Sequence, residues 1–573
     1  MRRNWFIGLA LVALVGVWAS GCARTMIRTA AVPGPVEARH GLVVSAEVEA
    51  SDAGVEVLQR GGNAVDAAVA TGFALAVVHP AAGNLGGGGF MVIRFADGRT
   101  TSFDYREEAP AAATRDMYLD STGTFLPDLS QDGHLASGVP GSPAGLLMAH
   151  ARYGHLPLKT VMAPAIRLAR KGYRLSRGEA ASFNRNYKWW ARYEGTRRYF
   201  TKGSPDLKFE EGEVFMQEDL AATLERISDR GHEGFYRGRT AELIVEEMER
   251  GGGIIALEDL AGYEAVEREP IYGSYRGYRV ISMGPPSSGG VALLQLLNAI
   301  EPYDVEELGY QSSATVHLMG EAMRRAYADR AEWLGDPDYF DVPVAELTSK
   351  NYMAARMADF DPKRADSSTQ ISHGNPLAYE STETTHYSVV DVEGNAVSVT
   401  TTINGGYGSG VVVDGAGFFL NNEMDDFSAK PGVPNMFGLV GSEANAIEPG
   451  KRMLSSMTPT ILEHPDGKLF MVIGSPGGGR IITIVFQVIA NVIDHGMNIQ
   501  EAVAARRIHH QWLPDELAYE RLALAADVRQ NLEARGWKLD PEGQWGRADG
   551  IVVSGTLLQG GADPRGEDAA VGY

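Results

Sequence analysis

A threonine at the head of an alternating strand, with a soft polar stretch directly before it, constrains this chain more than any other feature. It is Thr384, in Thr384-Thr385-His386-Tyr387-Ser388. The preceding segment, Asp361–Glu383 (DPKRADSSTQISHGNPLAYESTE), has no helical or strand period and reads as loop. Thr385–Val390 and Ala396–Thr402 then alternate in the β manner around Asp391-Val392-Glu393-Gly394-Asn395, which predicts a hairpin. A cut before Thr384 would free an α-amine beside its own hydroxyl. Such an amine titrates near ~7.7–8.0, so much of it is neutral at physiological pH and can act as a base. No other side chain need be the base. Taken alone, however, the pentapeptide is also ordinary strand, where threonine is common.

The segments around it decide the reading. Downstream, in order, come Thr400-Thr401-Thr402-Ile403-Asn404, Asn421-Asn422-Glu423-Met424-Asp425-Asp426-Phe427-Ser428, Lys451–Thr460 (KRMLSSMTPT) and Gly474-Ser475-Pro476-Gly477-Gly478-Gly479-Arg480. Upstream lie Gly83–Phe90 (GNLGGGGF) and Asp104-Tyr105-Arg106-Glu107, and the chain ends in Ala562-Asp563-Pro564-Arg565…Gly572-Tyr573. Together they closely resemble the γ-glutamyltranspeptidase (glutathione hydrolase) family, from Gly41 to Tyr573 and most densely after Thr384. The resemblance implies an α+β fold, the four-layer αββα sandwich of N-terminal nucleophile hydrolases, formed by two subunits cut from one precursor. It also implies a threonine nucleophile acting on glutathione and other γ-glutamyl compounds, with water, an amino acid or a peptide as acceptor.

The expected organisation is a lipoprotein-type signal peptide over 1–21, a tether over 22–40, a large subunit over 41–383 and a small catalytic subunit over 384–573. Arg2 and Arg3 head a short apolar run, Phe6–Val17, too short to be a confident membrane span. Ala19-Ser20-Gly21-Cys22 resembles a lipobox, so Cys22 is the expected lipidation site. The expected location is the periplasm, with a membrane anchor through that lipid. Cys22 is the only cysteine, which excludes an intramolecular disulfide. A net charge of −21 argues against nucleic acid, which needs a basic face.

Between these landmarks, Ser51–Leu58 and Ala64–Val78 read as helices, the second apolar all round and therefore buried. Phe90–Phe95 and Thr100–Phe103 read as strands, and Pro143–Met248 as mostly helical. Tyr278–Met283 and Val291–Ile300 read as strand and helix across a proline–glycine loop. Leu469–Gly474 and Ile481–Ile493 do the same across the glycine turn.

An amino-acid head joined to an electrophilic side-chain amide asks four things of a site: a nucleophile, oxyanion donors, a cation and acceptors for an ammonium. Thr384 Oγ would attack the γ-carbonyl, and its amine would shuttle the proton. Thr402 matches the family position whose hydroxyl contacts that amine; without the resemblance it reads equally well as a plain cross-strand threonine. Gly477 and Gly478 lie between a strand and a helix and could offer backbone N–H groups to an oxyanion. The G-x-x-x-x-G-K-[ST] pattern is lacking, which rejects a nucleotide loop. Arg106 would hold the α-carboxylate with a two-pronged bond, aided by Ser455 and Ser456. Read in isolation, Arg106 beside Glu107 and Glu108 is more often a solvated or salt-bridged surface arginine. Asn404, Glu423 and Asp426 would surround the α-ammonium. A glycosidase-like pair at Glu423 and Asp426 is the competing idea. No metal or other cofactor is expected: the acidic cluster has no ligand-spaced histidines, and His509-His510 reads as structural.

Lys430–Gly438 (KPGVPNMFG) matches the loop that covers the site in many bacterial members, which often carry tyrosine where this chain has Phe437. Phenylalanine keeps the aromatic cover. It lacks the hydroxyl that in the family can bond the asparagine matching Asn404, so the expected lid excludes water but is held less firmly. Maturation would use the same chemistry, with Thr384 Oγ attacking the Glu383 carbonyl and water opening the resulting ester. Two further readings remain: a relative specialised as a β-lactam side-chain acylase or poly-γ-glutamate hydrolase, and a non-catalytic surface lipoprotein. A serine hydrolase is disfavoured because the sequence has no G-x-S-x-G elbow.

Overall fold

The computed structural model describes residues 34–372, 384–430 and 432–573. The expected leader, Cys22, the last part of the Asp361–Glu383 loop and Glu383 itself lie outside those residues. Residues 361–372 carry neither helix nor strand.

Two seven-stranded sheets pack face to face, each with helices on its outer side, giving an α+β sandwich of four layers. The first sheet runs Ala569–Gly572, Leu42–Ser45, Thr385–Val390, Ala396–Thr402, Gly88–Arg94, Thr100–Tyr105, Val266–Arg268. The second runs Val36–Ala38, Leu557–Gly561, Asp549–Ser554, Leu469–Gly474, Thr460–Glu463, Tyr278–Ser282, Ile271–Tyr275. Each sheet therefore draws strands from both sides of residue 384. The predicted strands and helices fall where their periods place them: Thr385–Val390, Ala396–Thr402, Leu469–Gly474, Ala64–Val78 and Ile481–Ile493 have those bounds.

The Ala64–Val78 helix can be apolar on every side because it lies between the first sheet and the helices Val48–Gln59 and Leu158–Lys171. Its start is set by Asn63, whose side chain accepts from the Asp66 N–H while Asp66 accepts from the Asn63 N–H.

Strand parity explains why the site sits where it does. In the central hairpin, odd-numbered Tyr387, Val389, Val397 and Val399 join the core under the helices. Most even-numbered residues facing the second sheet are polar, and hydrogen bonds within the first sheet and across to the second satisfy them. His386 Nδ1 lies 2.9 Å from Thr400 Oγ1, Ser388 Oγ donates to the Asp549 carbonyl at 3.1 Å, and Ser398 Oγ to the Ile473 carbonyl at 3.1 Å. Thr385 pairs with Thr401, so one step further along the ladder sets Thr384 opposite Thr402 on this same polar face.

Candidate active site

A cleft of about 270 Å³ opens at that end of the sandwich. Thr384, Thr402, Gly478, Arg106, Asn404, Glu423, Asp426, Ser455, Ser456 and Phe437 all line it, although they come from seven separated segments. Gly477 does not line the cleft and abuts it through Gly478.

Among the described residues the nucleophile end is framed by neutral groups. Thr384 is buried, and its Oγ1 lies 3.5 Å from Thr402 Oγ1. Thr402 Oγ1 also accepts the Asn404 N–H at 2.8 Å, which fixes the hydroxyl's position. Behind the strand, an added Cβ at Gly87 would stand 2.0 Å from the Thr402 carbonyl oxygen, so the glycine run lets its backbone press on Thr402 from the back. Gly477 and Gly478 have φ of +137° and +52°. Among the described residues neither N–H has an acceptor, and at the head of the Ile481–Ile493 helix they suit a developing negative oxygen. His386 sits one residue beyond the hairpin's first threonine. Burial holds its pKa down to about 3, and both ring nitrogens face the Thr400 and Ser388 hydroxyls, so it is a poor base.

The other end is charged. Arg106 is fully buried, so the reading of it as a surface arginine is corrected: its neighbours are not solvent but carboxylates. Its Nη1 donates to Glu423 and its Nη2 to Asp426, with Glu107 3.5 Å away. Its Nε also donates to the Met453 carbonyl at 3.2 Å. Burial alone would lower the guanidinium's pKa, and Glu423, Glu107 and Asp426 more than reverse that. The same burial raises all three carboxyls against the pull of Arg106, Glu107 to about 7 and Glu423 well above its usual range. Three carboxylates around one guanidinium leave excess negative charge, which favours their protonated forms. A bound ammonium would supply the missing cation. Glu423 and Asp426 share one arginine rather than flanking an open gap, which disfavours the glycosidase reading. Among the described residues no group of His, Cys, Asp or Glu could hold a metal. His509 and His510 are buried and bond Thr483, Gln511 and the Trp512 N–H.

The cover is closed. Phe437 packs on the glycine turn, where an added Cβ at Gly478 would be 2.7 Å from the ring. Asn435 holds the loop from below: its Nδ2 donates to Asp426 Oδ1 at 2.9 Å, and its Oδ1 accepts the N–H groups of Phe437 and Leu439. The Met436 N–H donates to Asp425 at 2.7 Å. Asn404 Nδ2 bonds the Asn422 carbonyl and lies 3.5 Å from Met436 Sδ. A weak thioether acceptor thus stands where the resemblance puts an aromatic hydroxyl.

Sequence reasoning missed Glu107, Asp425, Asn435, Met436 and the arginine behind Ser456. Asp425 offered a signal, because a second acid beside Asp426 in a buried short turn needs partners; it finds Ser130 Oγ at 2.6 Å and the lid backbone.

A sequence profile described as gamma-glutamyltranspeptidase matches residues 50–573. A glutathione hydrolase proenzyme from Escherichia coli (strain K12) is 49% identical over 542 residues, covering 94% of this chain and 93% of its own length. Among solved structures, a cephalosporin acylase from Bacillus halodurans superposes with a TM-score of 0.83 at 29% identity, over 94% of this chain and 97% of that one. The gamma-glutamyltranspeptidase of Helicobacter pylori gives 0.57 at 46% identity, over 61% of this chain and 98% of that one. With that profile spanning nine-tenths of its length and relatives this near, the chain belongs to the γ-glutamyltranspeptidase family.

Proposed function

We propose that this chain is the precursor of a γ-glutamyltransferase and glutathione hydrolase, and that it cuts itself between Glu383 and Thr384. One observation carries the reading. A strand-head threonine facing a second threonine and a pair of positive-φ glycines opens into the same cleft as a guanidinium ringed by carboxylates.

In maturation, Thr384 Oγ attacks the Glu383 carbonyl carbon, the C–N bond breaks as the acyl group shifts from nitrogen to oxygen, and water hydrolyses the ester. The products are a larger chain ending at Glu383 and a smaller one beginning at Thr384, held as a heterodimer. In turnover, the freed amine takes the Thr384 hydroxyl proton as Oγ attacks the γ-carbonyl. The tetrahedral oxyanion forms near the Gly477 and Gly478 N–H groups, and the amine returns a proton to the leaving amine. Water, an amino acid or a peptide then takes the γ-glutamyl group from the ester. The donor's α-carboxylate goes to Arg106, Ser455 and Ser456, and its α-ammonium to Asn404, Glu423 and Asp426. Phe437 is the lid over the acyl group. Export through the 1–21 leader and anchoring by a lipid on Cys22 in the periplasm complete the proposal.

The test is N-terminal sequencing of the smaller mature fragment together with turnover of a γ-glutamyl anilide. A sequence starting TTHYS and release of the aniline are expected. Turnover by a chain still intact at residue 384 would overturn the mechanism.

The likeness to a cephalosporin acylase raises a second reading, hydrolysis of a glutaryl side chain. A glutaryl group carries no ammonium, and the three carboxylates around Arg106 would then have no use. A preference for glutaryl over γ-glutamyl anilide would favour that reading.

A further inference from the structure

Two buried guanidinium groups flank the Ser455-Ser456 turn, and their surroundings differ in kind. Arg106 meets three carboxylates. Arg330, on the Ser313–Trp333 helix, meets hydroxyls: its Nε donates to Ser288 Oγ at 2.9 Å and its Nη2 to Ser456 Oγ at 3.0 Å. Among the described residues no carboxylate lies within ion-pair distance of it. Burial pulls the guanidinium below its ordinary pKa, and Asp426 acts on it only from beyond contact. A buried cation without a counter-ion is strongly unfavourable, so its retention beside a cleft asks what anion completes it.

Hydrogen-bond direction narrows the answer. An arginine has only donors, so Ser456 Oγ must accept from Arg330 and is left free to donate its own proton. Ser455 Oγ accepts the Met457 N–H at 3.2 Å and is left likewise. Both hydroxyls line the cleft. Ser288 closes the arrangement, since its Oγ and its N–H both donate to the Ser455 carbonyl. One turn earlier on the same helix face, the Tyr327 hydroxyl donates to the Gly479 carbonyl, so this helix holds the serine turn and the glycine turn together.

We infer that Arg330 is a positioning residue for the donor's α-carboxylate: it fixes Ser456 as a hydrogen-bond donor toward the cleft and backs it with a second positive charge. The inference rests on the γ-glutamyl reading of the site. The donor then enters as a zwitterion, its ammonium joining Glu423 and Asp426 and its carboxylate meeting Arg106 and the two serine hydroxyls, with the acid-poor Arg330 behind Ser456.

Three anilides separate the possibilities: γ-glutamyl, glutaryl (no ammonium) and 4-aminobutanoyl (no α-carboxylate). Arg330→Gln is expected to raise KM for the γ-glutamyl and glutaryl anilides roughly tenfold or more, with kcat within about threefold of wild type, as for loss of one charge-assisted contact. The 4-aminobutanoyl anilide, poor from the start, should lose no further efficiency. Arg330→Lys keeps the charge and should recover most of the KM. Should Arg330→Gln fail to mature into two fragments, Ser288→Ala, which removes the Nε anchor at a distance from the cleft, should raise KM for the two carboxylate-bearing donors a few-fold and spare the third. Equal losses on all three anilides, or a lysine variant no better than glutamine, would overturn the inference. Wild-type enzyme that turns over none of the three would instead sink the γ-glutamyl reading.

Discussion

The two ends of the cleft are built on opposite principles. Among the described residues, the groups that frame Thr384 are neutral: hydroxyls, glycine backbone and a histidine held uncharged by burial. Around Arg106 the charges are dense and cross-linked. The difference has a chemical reason. A carboxylate close to an α-amine would raise its pKa and leave it protonated, unable to take the threonine proton. The ammonium and carboxylate of a substrate, by contrast, can be drawn from water only by full charges with good geometry. Keeping the carboxylates at the far end lets one cleft grip a zwitterion and still contain a weak neutral base.

The contrast can be broken by substitution. The largest effect is expected at the neutral end, where Thr384→Ala should give a single band on a denaturing gel and less than about a thousandth of wild-type turnover, since nucleophile and base are lost together. At the charged end, Asp426→Asn should lower kcat/KM for the γ-glutamyl anilide roughly a hundredfold, mostly through KM, while fragment formation proceeds. A matching loss of cleavage would show that the two ends are not separable. Gly478→Ala sits between these cases. Its φ of +52° and the Phe437 ring 2.7 Å from an added Cβ predict a roughly tenfold fall in kcat with a smaller change in KM.

A subtler test concerns pH. Glu107 is pushed up to about 7 by burial, with Arg106 opposing. Below that pH it is protonated and offers the ammonium less negative charge, so donor KM should rise several-fold as pH falls from 8 to 6. Glu107→Gln should flatten that slope at the high-KM level. The stability consequence has the opposite sign. A carboxyl whose pKa is raised by folding stabilises the fold below its unfolded pKa, and that contribution is lost as pH rises through about 7. Glu107→Gln should therefore melt higher than wild type at pH 8, a gain in stability bought with weaker substrate binding. The smallest expected effect is at the lid. Phe437→Tyr should shift the ratio of transfer to hydrolysis by about two- to threefold, and unchanged kinetics on both paths would leave the Met436 contact to Asn404 as a sufficient latch.

The two ends also differed in how readily they could be read from sequence. The neutral end is local: a turn, two β-branched strands and a glycine loop between strand and helix are short-range signals, and Thr385–Val390, Ala396–Thr402 and Leu469–Gly474 fall to the residue. The charged end is assembled from distant segments, and its burial reverses the usual meaning of charge. Arg106 beside two acids looks like surface, yet it is sealed. The Ser313–Trp333 helix carries Glu321, Arg324, Arg325, Asp329 and Arg330, a composition that normally marks a solvated face, and all five are buried. Internal pairing makes this possible, as in Arg325 with Glu321 at 2.6 Å and Arg356 with Asp329 at 3.0 Å. Only three-dimensional pairing distinguishes such charges from solvated ones, and Arg330 then stands out as the member without an acidic partner among the described residues.

The interleaving of strands has a consequence for any gene split at residue 384. Leu42–Ser45 lies between Ala569–Gly572 and Thr385–Val390, and Val36–Ala38 completes the opposite sheet against Leu557–Gly561. Neither polypeptide owns a finished sheet, so each made alone would present raw edges ready to pair with the wrong neighbour. The nick therefore has to come after folding: an order of events written into the weave, which makes the two mature fragments inseparable short of unravelling both.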